Sequence, residues 1–203
     1  MPRVLIATNN AHKRRELGQI LAESRSPLVS PADLGIVAEL EETGTTYADN
    51  AMLKARSLAE TSGMVTLADD SGLEVAALGG EPGIRSARYA GEGAPNSQRI
   101  AKLLCSLEGV PWSDRAARFV CVIAVCEPGG PTHLFQGICS GVIAFEPTGS
   151  QGFGYDPVFF MPEFGCTMAE LDEAQKNLVS HRGLAGKQAA AFLARLFGGT
   201  SPD

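Results

Sequence analysis

The 203-residue chain has little of what marks several common functions. Its five cysteines (Cys105, Cys121, Cys126, Cys139 and Cys166) contain no C-x-x-C spacing, and an odd number cannot all pair. Cys121 and Cys126 fall five apart in a strand-like run, and side chains an odd number of positions apart in a strand point to opposite faces. Reduced, buried thiols are therefore expected rather than a ligand pair or a disulfide framework. The three histidines are scattered, which argues against zinc. No window is apolar over the length of a membrane span, and Met1-Pro2-Arg3 leads straight into a strand-like run. Neither a membrane segment nor a secretory leader is expected, and the cytoplasm is the default location. Positive charge is not in excess: 17 Lys and Arg face 23 Asp and Glu, a net charge of -6. A duplex-binding protein would carry a basic surface, so nucleic acid is not an expected partner. A small anion held by a few local cations remains open. There is no repeat, low-complexity tract or linker, so residues 1–203 are expected to form a single domain with ample core.

What is present is organised around Met64–Tyr89. An apolar run, Met64 to Ala68, ends at two adjacent acids, Asp69 and Asp70, followed by Ser71-Gly72 and a second apolar run to Leu78. This pattern predicts a strand that stops at the carboxylates and presents them at its C-terminal end, where α/β proteins keep their ligands. Adjacent strand residues face opposite ways, so one acid is expected to serve a metal or water and the other to act as a support. The plain alternative is a polar turn between two strands.

Upstream, Arg3–Ala7 reads as a short buried strand, Thr8-Asn9-Asn10 as a loop, and Ala11–Ala22 as a helix with Leu17, Ile20 and Leu21 inward. Lys13 sits in the first helical turn, where a cation is mildly unfavourable unless an anion joins it; alternatively Asn10 only caps the helix. Residues 24–35 read as a connection. Thr46 and Asp49 have capping-box spacing ahead of a helix to about Thr61. Downstream, Asn96–Leu107 is an amphipathic helix, and Arg115–Glu127 and Thr132–Glu146 are long strands joined through Pro128-Gly129-Gly130-Pro131, the second interrupted at Gly137 and Gly141. This hairpin makes a mixed sheet the better expectation than a purely parallel one. Gly149–Phe160 is a glycine-rich loop whose aromatics suit stacking on a flat ligand or plugging the core. Thr167–Asn177 reads as a short helix with Lys176 near its end, and Leu184–Phe197 as the last helix.

Together these stretches resemble the inosine triphosphate pyrophosphatase family, the noncanonical purine nucleotide (dITP/XTP) pyrophosphatases. The resemblance rests on Thr8-Asn9-Asn10-Ala11-His12-Lys13, Glu41-Glu42-Thr43-Gly44 with Asn50 and Lys54, and Ala68-Asp69-Asp70-Ser71-Gly72-Leu73. It continues through Gly79-Gly80-Glu81-Pro82-Gly83, Ser86-Ala87-Arg88-Tyr89, Gly152-Phe153-Gly154-Tyr155-Asp156-Pro157 and Ser180-His181-Arg182-Gly183, in the family order. Asn9 departs from the glycine often found in relatives, but asparagine tolerates left-handed dihedrals.

The resemblance implies an α/β fold with a long mixed sheet, flanking helices and two lobes around an active-site cleft, a homodimer, and a requirement for Mg²⁺. The implied reaction converts ITP, dITP, XTP or dXTP and water to the monophosphate and pyrophosphate, cleansing the nucleotide pool. By resemblance Asp70 is the proton acceptor and a metal ligand, and Glu41 is the second acid near the metal, with Glu42 close behind. Residues Thr8, Asn9, Asn10, Ala11, His12 and Lys13 would bind substrate, with Lys13 and the N–H groups of the first helix holding the phosphates. Ser71, Lys176, His181 and Arg182 would contact substrate, Phe153 would stack on the base, and Gly154, Tyr155 and Asp156 would shape the pocket beside it. The alternatives are a pyrophosphatase for modified or pyrimidine triphosphates, and a purine-nucleotide sensor without turnover.

Overall fold

A computed structural model describes residues 2–24, 26–37 and 42–198. The described strands form one seven-stranded sheet in the order β2-β1-β3-β4-β5-β6-β7. In chain order the elements are β1 (Val4–Ile6), α1 (Ala11–Ile20), β2 (Leu28–Val29), α2 (Tyr47–Ser62), β3 (Thr66–Val75), α3 (Asn96–Ser106), β4 (Ala116–Cys126) and β5 (Thr132–Ile143). They are followed by β6 (Phe159–Met161), β7 (Cys166–Thr167), α4 (Glu173–Val179) and α5 (His181–Leu196). Strand β1 pairs in parallel with β2 and β3, whereas β5–β6 and β6–β7 are antiparallel, so the sheet is mixed as expected. Among the described residues no helix is long and apolar enough to cross a membrane.

Internal contacts separate two compact units. The first comprises Met1–Asp70, Cys121–Gly137 and His181–Asp203; the second comprises Ser71–Val120 and Ile138–Ser180. Both are assembled from discontinuous segments, and the chain passes between them inside β3, β4 and β5. A division that falls within strands leaves no compositional linker to read.

The first unit is centred on Val4, Ile6, Leu17, Leu67, Cys121, Ile123, Val125 and the alanine face of α5, Ala185, Ala189 and Ala190. The second is centred on Leu73, Ile100, Leu103, Phe119, Ile143, Tyr155 and Phe159. Five free thiols are present, but Cys105 is exposed, so burial holds only for Cys121, Cys126 and Cys139, with Cys166 intermediate.

Three local expectations are corrected. Strand β3 does not stop at the acids: it runs unbroken from Thr66 to Val75, with Asp69, Asp70, Ser71 and Gly72 inside it. The C-terminal-end argument survives in another form. Ile6, the last residue of β1, is paired with Leu67, so the two acids lie just past the end of the parallel pairing. Secondly, α5 begins at His181, three residues earlier than its apolar periodicity suggests. Thirdly, β5 is not interrupted by its glycines. A Cβ on Gly137 would lie 2.1 Å from the His181 carbonyl oxygen and 2.6 Å from the Ala185 nitrogen. The strand and the first turn of α5 are in backbone contact there, and only a residue without a side chain fits.

Replacing Gly137 with alanine is therefore expected to destabilise the protein by about 1–3 kcal/mol, the usual cost of overpacking against atoms that cannot rotate away. Urea unfolding measures it. A stability within about 0.5 kcal/mol of the parent, the range of neutral surface changes, would show that the strand and helix separate freely.

Candidate active site

The first unit brings four polar elements onto the segment Asp69-Asp70. Helix α1 starts with an asparagine cap: the Asn10 Oδ1 accepts the N–H groups of His12 (2.9 Å) and Lys13 (3.2 Å). Thr8 Oγ1 in turn accepts the Asn10 N–H at 3.2 Å. The capping reading of this loop is what the hydrogen bonds show. Asn10 does cap the helix, and by using two of its first-turn donors it leaves fewer for a phosphate. The Lys13 side chain turns to the sheet, with Nζ 3.0 Å from Asp69 Oδ2.

Asp69 is 1 % exposed and sits in a cage of cations. The Arg182 Nε and Nη2 donate to its Oδ2 at 3.3 Å, and the Arg182 Nη1 donates to Glu16 Oε2 at 2.7 Å. Arg182 is itself 2 % exposed, so its guanidinium is committed to two carboxylates. Burial would raise the Asp69 carboxyl, but Lys13, Arg182 and Lys54 together overcome it and hold the group well below the ordinary range. The same carboxylates raise the Arg182 guanidinium against its desolvation. The Cys121 thiol, buried beside this charge, is pushed up to about 12, by burial first and by Asp69 second.

Asp70 has different partners. The Asn50 Nδ2 donates to its Oδ2 at 3.0 Å, and the Asn50 Oδ1 accepts the Gly44 N–H at 2.8 Å, which fixes the amide's orientation. The Lys54 ammonium lies 3.8 Å from Asp70 Oδ1, donates to Glu42 Oε1 at 2.8 Å, and donates to the Asp69 carbonyl oxygen at 2.8 Å. Burial raises the Asp70 carboxyl; Lys54 and Lys13 offset this in part, and the Glu42 charge adds to the rise. Neighbouring carboxyls are thus shifted in opposite directions by the two faces of one strand. Helix α2 supplies Asn50 and Lys54 one turn apart, held at its start by the capping box of Thr46 and Asp49.

Of the two acids weighed as a metal partner, Glu42 is the one described at the site; Glu41 lies outside the described residues. Among the described residues no three His, Cys, Asp or Glu side chains stand together as a ligand set. Mg²⁺ does not need such a cage, because it commonly takes one or two carboxylates and completes its shell with water and substrate phosphate. Asp70 with Glu42 fits that donor set: two hard oxygen ligands share one ammonium, and one of them carries a raised carboxyl.

The second unit gathers the loop residues. Asp156 is buried, its Oδ2 accepting the Lys176 Nζ at 2.6 Å and the Phe153 N–H at 2.7 Å. A Cβ on Gly152 would lie 2.1 Å from that carboxylate, and Gly152 has φ of +72°, so glycine is required where the loop folds over the pair. The Lys176 Nζ lies 4.9 Å from the centroid of the Phe153 ring. The Tyr155 hydroxyl donates to the Ser86 carbonyl at 3.0 Å, and Ser86 Oγ accepts the Leu73 N–H at 2.8 Å. Of the loop's two aromatics, Tyr155 is therefore core, while Phe153 is half-buried with the Lys176 ammonium over its ring. Ser71 lies in β3, and His181 is buried at the start of α5.

Glu16 was not singled out from the sequence, nor were contacts assigned to Asn50 and Lys54. The signal was there: Glu16 interrupts the buried stripe with Leu17 and Ile20, and Asn50 and Lys54 interrupt the stripe of Ala51, Ala55 and Leu58. A polar side chain in an apolar stripe needs a buried partner.

Fold and site together define an α/β protein of the inosine triphosphate pyrophosphatase type. The chain belongs to the Ham1 family, whose model matches residues 4–192. It is 50% identical over 195 residues to the dITP/XTP pyrophosphatase of Desulforamulus reducens, covering 96% of this chain and 97% of that one. It is also 50% identical to the dITP/XTP pyrophosphatase of Geobacter sulfurreducens, over 91% of this chain and 93% of the relative. Among solved structures, a HAM1 protein from Coxiella burnetii superposes with a TM-score of 0.88 at 42% identity, covering 96% of this chain and all (100%) of that one. A nucleoside-triphosphatase, dITP/XTP pyrophosphatase, from Mycobacterium abscessus does so with a TM-score of 0.72 at 36% identity, over 97% and 98%.

The two carboxyls should titrate apart. Carbon-detected NMR of the side-chain carboxyls is expected to place Asp70 above the ordinary value of 3.8 and Asp69 below it. The signs for stability follow from linkage. The depressed Asp69 contributes stability present above the unfolded value and lost as pH falls through its folded one. The raised Asp70 favours the folded state below the unfolded value, and that contribution is lost as pH rises through its folded one. Coincident titration of the two groups would contradict the separate environments described.

Proposed function

We propose that the protein hydrolyses noncanonical purine nucleoside triphosphates, the ITP, dITP, XTP and dXTP class, to the monophosphate and pyrophosphate. The observation that carries the chemistry is the contrast in partners of two adjacent acids: Asp70 faces Asn50, Lys54 and, across that ammonium, Glu42, while Asp69 is enclosed by Lys13 and Arg182. The relatives' names support the substrate class.

In this reading Asp70 accepts the proton of the attacking water. Its raised carboxyl, facing a neutral amide and one ammonium, is a better proton acceptor than an aspartate in a cation cage. Asn50, held by the Gly44 N–H, orients the carboxylate. Lys54 keeps Asp70 and Glu42 from repelling one another and holds the Asp69 carbonyl, so that the strand cannot twist locally. Lys13, anchored on Asp69, offers positive charge at the start of α1, and with the remaining helix donors it would meet the phosphate tail. Asp69 itself is a support, as are Arg182 and Glu16, whose hydrogen bonds fix the anchor. Asp70 and Glu42, or Glu41, would hold Mg²⁺, which when bound supplies charge neutralisation of the phosphate oxygens. Positioning and charge neutralisation are most of what phosphoryl-type transfer requires. Phe153 is assigned to the base, which would stack on the ring face opposite the Lys176 ammonium. Homodimerisation and a cytoplasmic location belong to the same proposal, and light scattering tests the first.

Pyrophosphate release from a panel of triphosphates, with and without Mg²⁺, tests the reading. Release from ITP, dITP and XTP in preference to ATP and GTP is expected, and hydrolysis confined to ATP and GTP would overturn it. Asp70→Asn removes the proton acceptor and weakens a metal ligand while nearly preserving shape. Its kcat for ITP is expected to fall by at least about 10²–10⁴-fold with the circular dichroism spectrum intact. A folded variant within threefold of the parent would move the chemistry elsewhere. For Phe153→Ala the expected change is a higher KM for ITP, equivalent to roughly 1–3 kcal/mol of lost stacking. If the variant instead keeps its KM and melts much earlier, Phe153 is a core residue.

A further inference from the structure

Strand β3 outruns its parallel neighbour. Its register with β1 ends at Ile6 and Leu67, and the Ala7 N–H closes it on the Leu67 carbonyl at 2.7 Å. The backbone groups of a strand alternate between its two edges, so positions an even number past Leu67 present theirs to the edge that β1 has left. Such groups need other partners inside a protein. At Asp69 the partner is the Lys54 ammonium, on the carbonyl. At Val75 it is backbone again: the Val75 N–H donates to the Glu81 carbonyl at 3.1 Å, and the Gly80 N–H to the Val75 carbonyl at 3.0 Å. Between them, the Leu73 N–H is held by a side chain, that of Ser86.

Ser86 is buried, in a 3₁₀ turn, Gly83–Arg88. Its hydroxyl donates to the Gly83 carbonyl at 2.6 Å, which aims a lone pair at the Leu73 N–H, accepted at 2.8 Å. Its own carbonyl accepts the Tyr155 hydroxyl at 3.0 Å. Tyr155 is buried too, and burial holds its hydroxyl above the ordinary value, so it stays a donor. One residue thus joins β3 to the loop that carries Phe153, and all of these residues lie in the second unit. The loop has another anchor in Asp156, whose carboxylate accepts the Phe153 N–H and the Lys176 ammonium. That anchor ties the loop to α4, whereas the Tyr155 anchor ties it to the sheet. A ring that is to stack on a ligand needs such support, because a binding group is effective only while its neighbours hold it in place.

We propose that Ser86 is a positioning residue for nucleotide binding: through Leu73 on one side and Tyr155 on the other, it sets the Phe153 ring against the sheet and thereby the place of the base. This rests on the assignment of Phe153 to the base. The two hydrogen bonds act in series, so cutting either releases the ring, and cutting both adds nothing.

The test is steady-state kinetics of the full-length protein with ITP and Mg²⁺, for Tyr155→Phe, Ser86→Ala and the double variant, with thermal melting measured on each. Tyr155→Phe deletes only the hydroxyl and keeps the ring in the core; Ser86→Ala deletes the link to β3 and keeps the carbonyl. Each is expected to raise KM roughly three- to tenfold, the range of one neutral hydrogen bond. With kcat within about twofold of the parent, the loss is one of binding rather than of chemistry. The double variant should match the worse single one, because residues in one network are not additive. A lowered melting temperature with an unchanged KM in Tyr155→Phe would overturn the proposal, and so would multiplication of the two KM effects in the double variant. If Ser86→Ala does not fold, Tyr155→Phe alone decides by the same KM criterion. Phe153→Ala in the same assay separates this proposal from the reading on which it rests. A KM raised there but unchanged in Tyr155→Phe overturns the proposal alone; a KM unchanged in Phe153→Ala overturns the base assignment and the proposal together.

Discussion

The first unit depends on a single buried carboxylate. Asp69 collects Lys13 from α1 and Arg182 from α5, and through Arg182 it reaches Glu16, also on α1. Segments separated by 113 residues between β3 and α5, and by 166 between α1 and α5, are thereby tied at one point. Such a network is not simply a source of stability. Desolvating several charges is costly, and well-packed apolar side chains can serve stability as well. Removing one member is another matter, since it strands a charge in the interior at a cost of about 3–5 kcal/mol. The network is better understood as a positioning device: it holds a lysine at a helix start where the helix itself disfavours one.

The neighbouring Asp70 gains its chemical character by contrast. One residue along the strand, the environment changes from two close cations to an amide, one ammonium and a second acid. Strand alternation alone supplies that change, because it sends successive side chains to opposite faces. Nothing more elaborate is required to hold one carboxyl below the ordinary range while its neighbour is raised. The long β3 matters here: an irregular turn, as the Ser71-Gly72 pair suggests, would allow both acids to swing, whereas a paired strand does not.

The mixed sheet, the hairpin of β4 and β5, the capping box of α2 and the opposition of Asp69 and Asp70 were legible in the sequence because each depends on local spacing. The placement of Asn50 and Lys54 against Asp70, and of Glu16 against Arg182, was not, because these contacts join distant elements. Arg182 illustrates the difference. Its motif marks it as a site residue, but only the fold reveals that its guanidinium is shared between two carboxylates. Similarly, Lys176 is recognisable as a cation at a helix end, while its buried bond to Asp156 depends on a glycine whose left-handed backbone folds the loop over it. The boundary between units escaped composition because it falls inside strands.

The unbroken course of β3 has a further consequence for how this gene can vary. A strand with period two exchanges its faces when it slips by one position. Deleting or inserting one codon between Thr66 and Asp69 would therefore do more than shorten a strand. An insertion would turn Asp69 toward Asn50 and Lys54, and a deletion would send Asp70 into the cage of Lys13 and Arg182. A one-residue insertion or deletion here puts one aspartate into the other's surroundings and leaves Ala68 or Ser71 in the place it vacated.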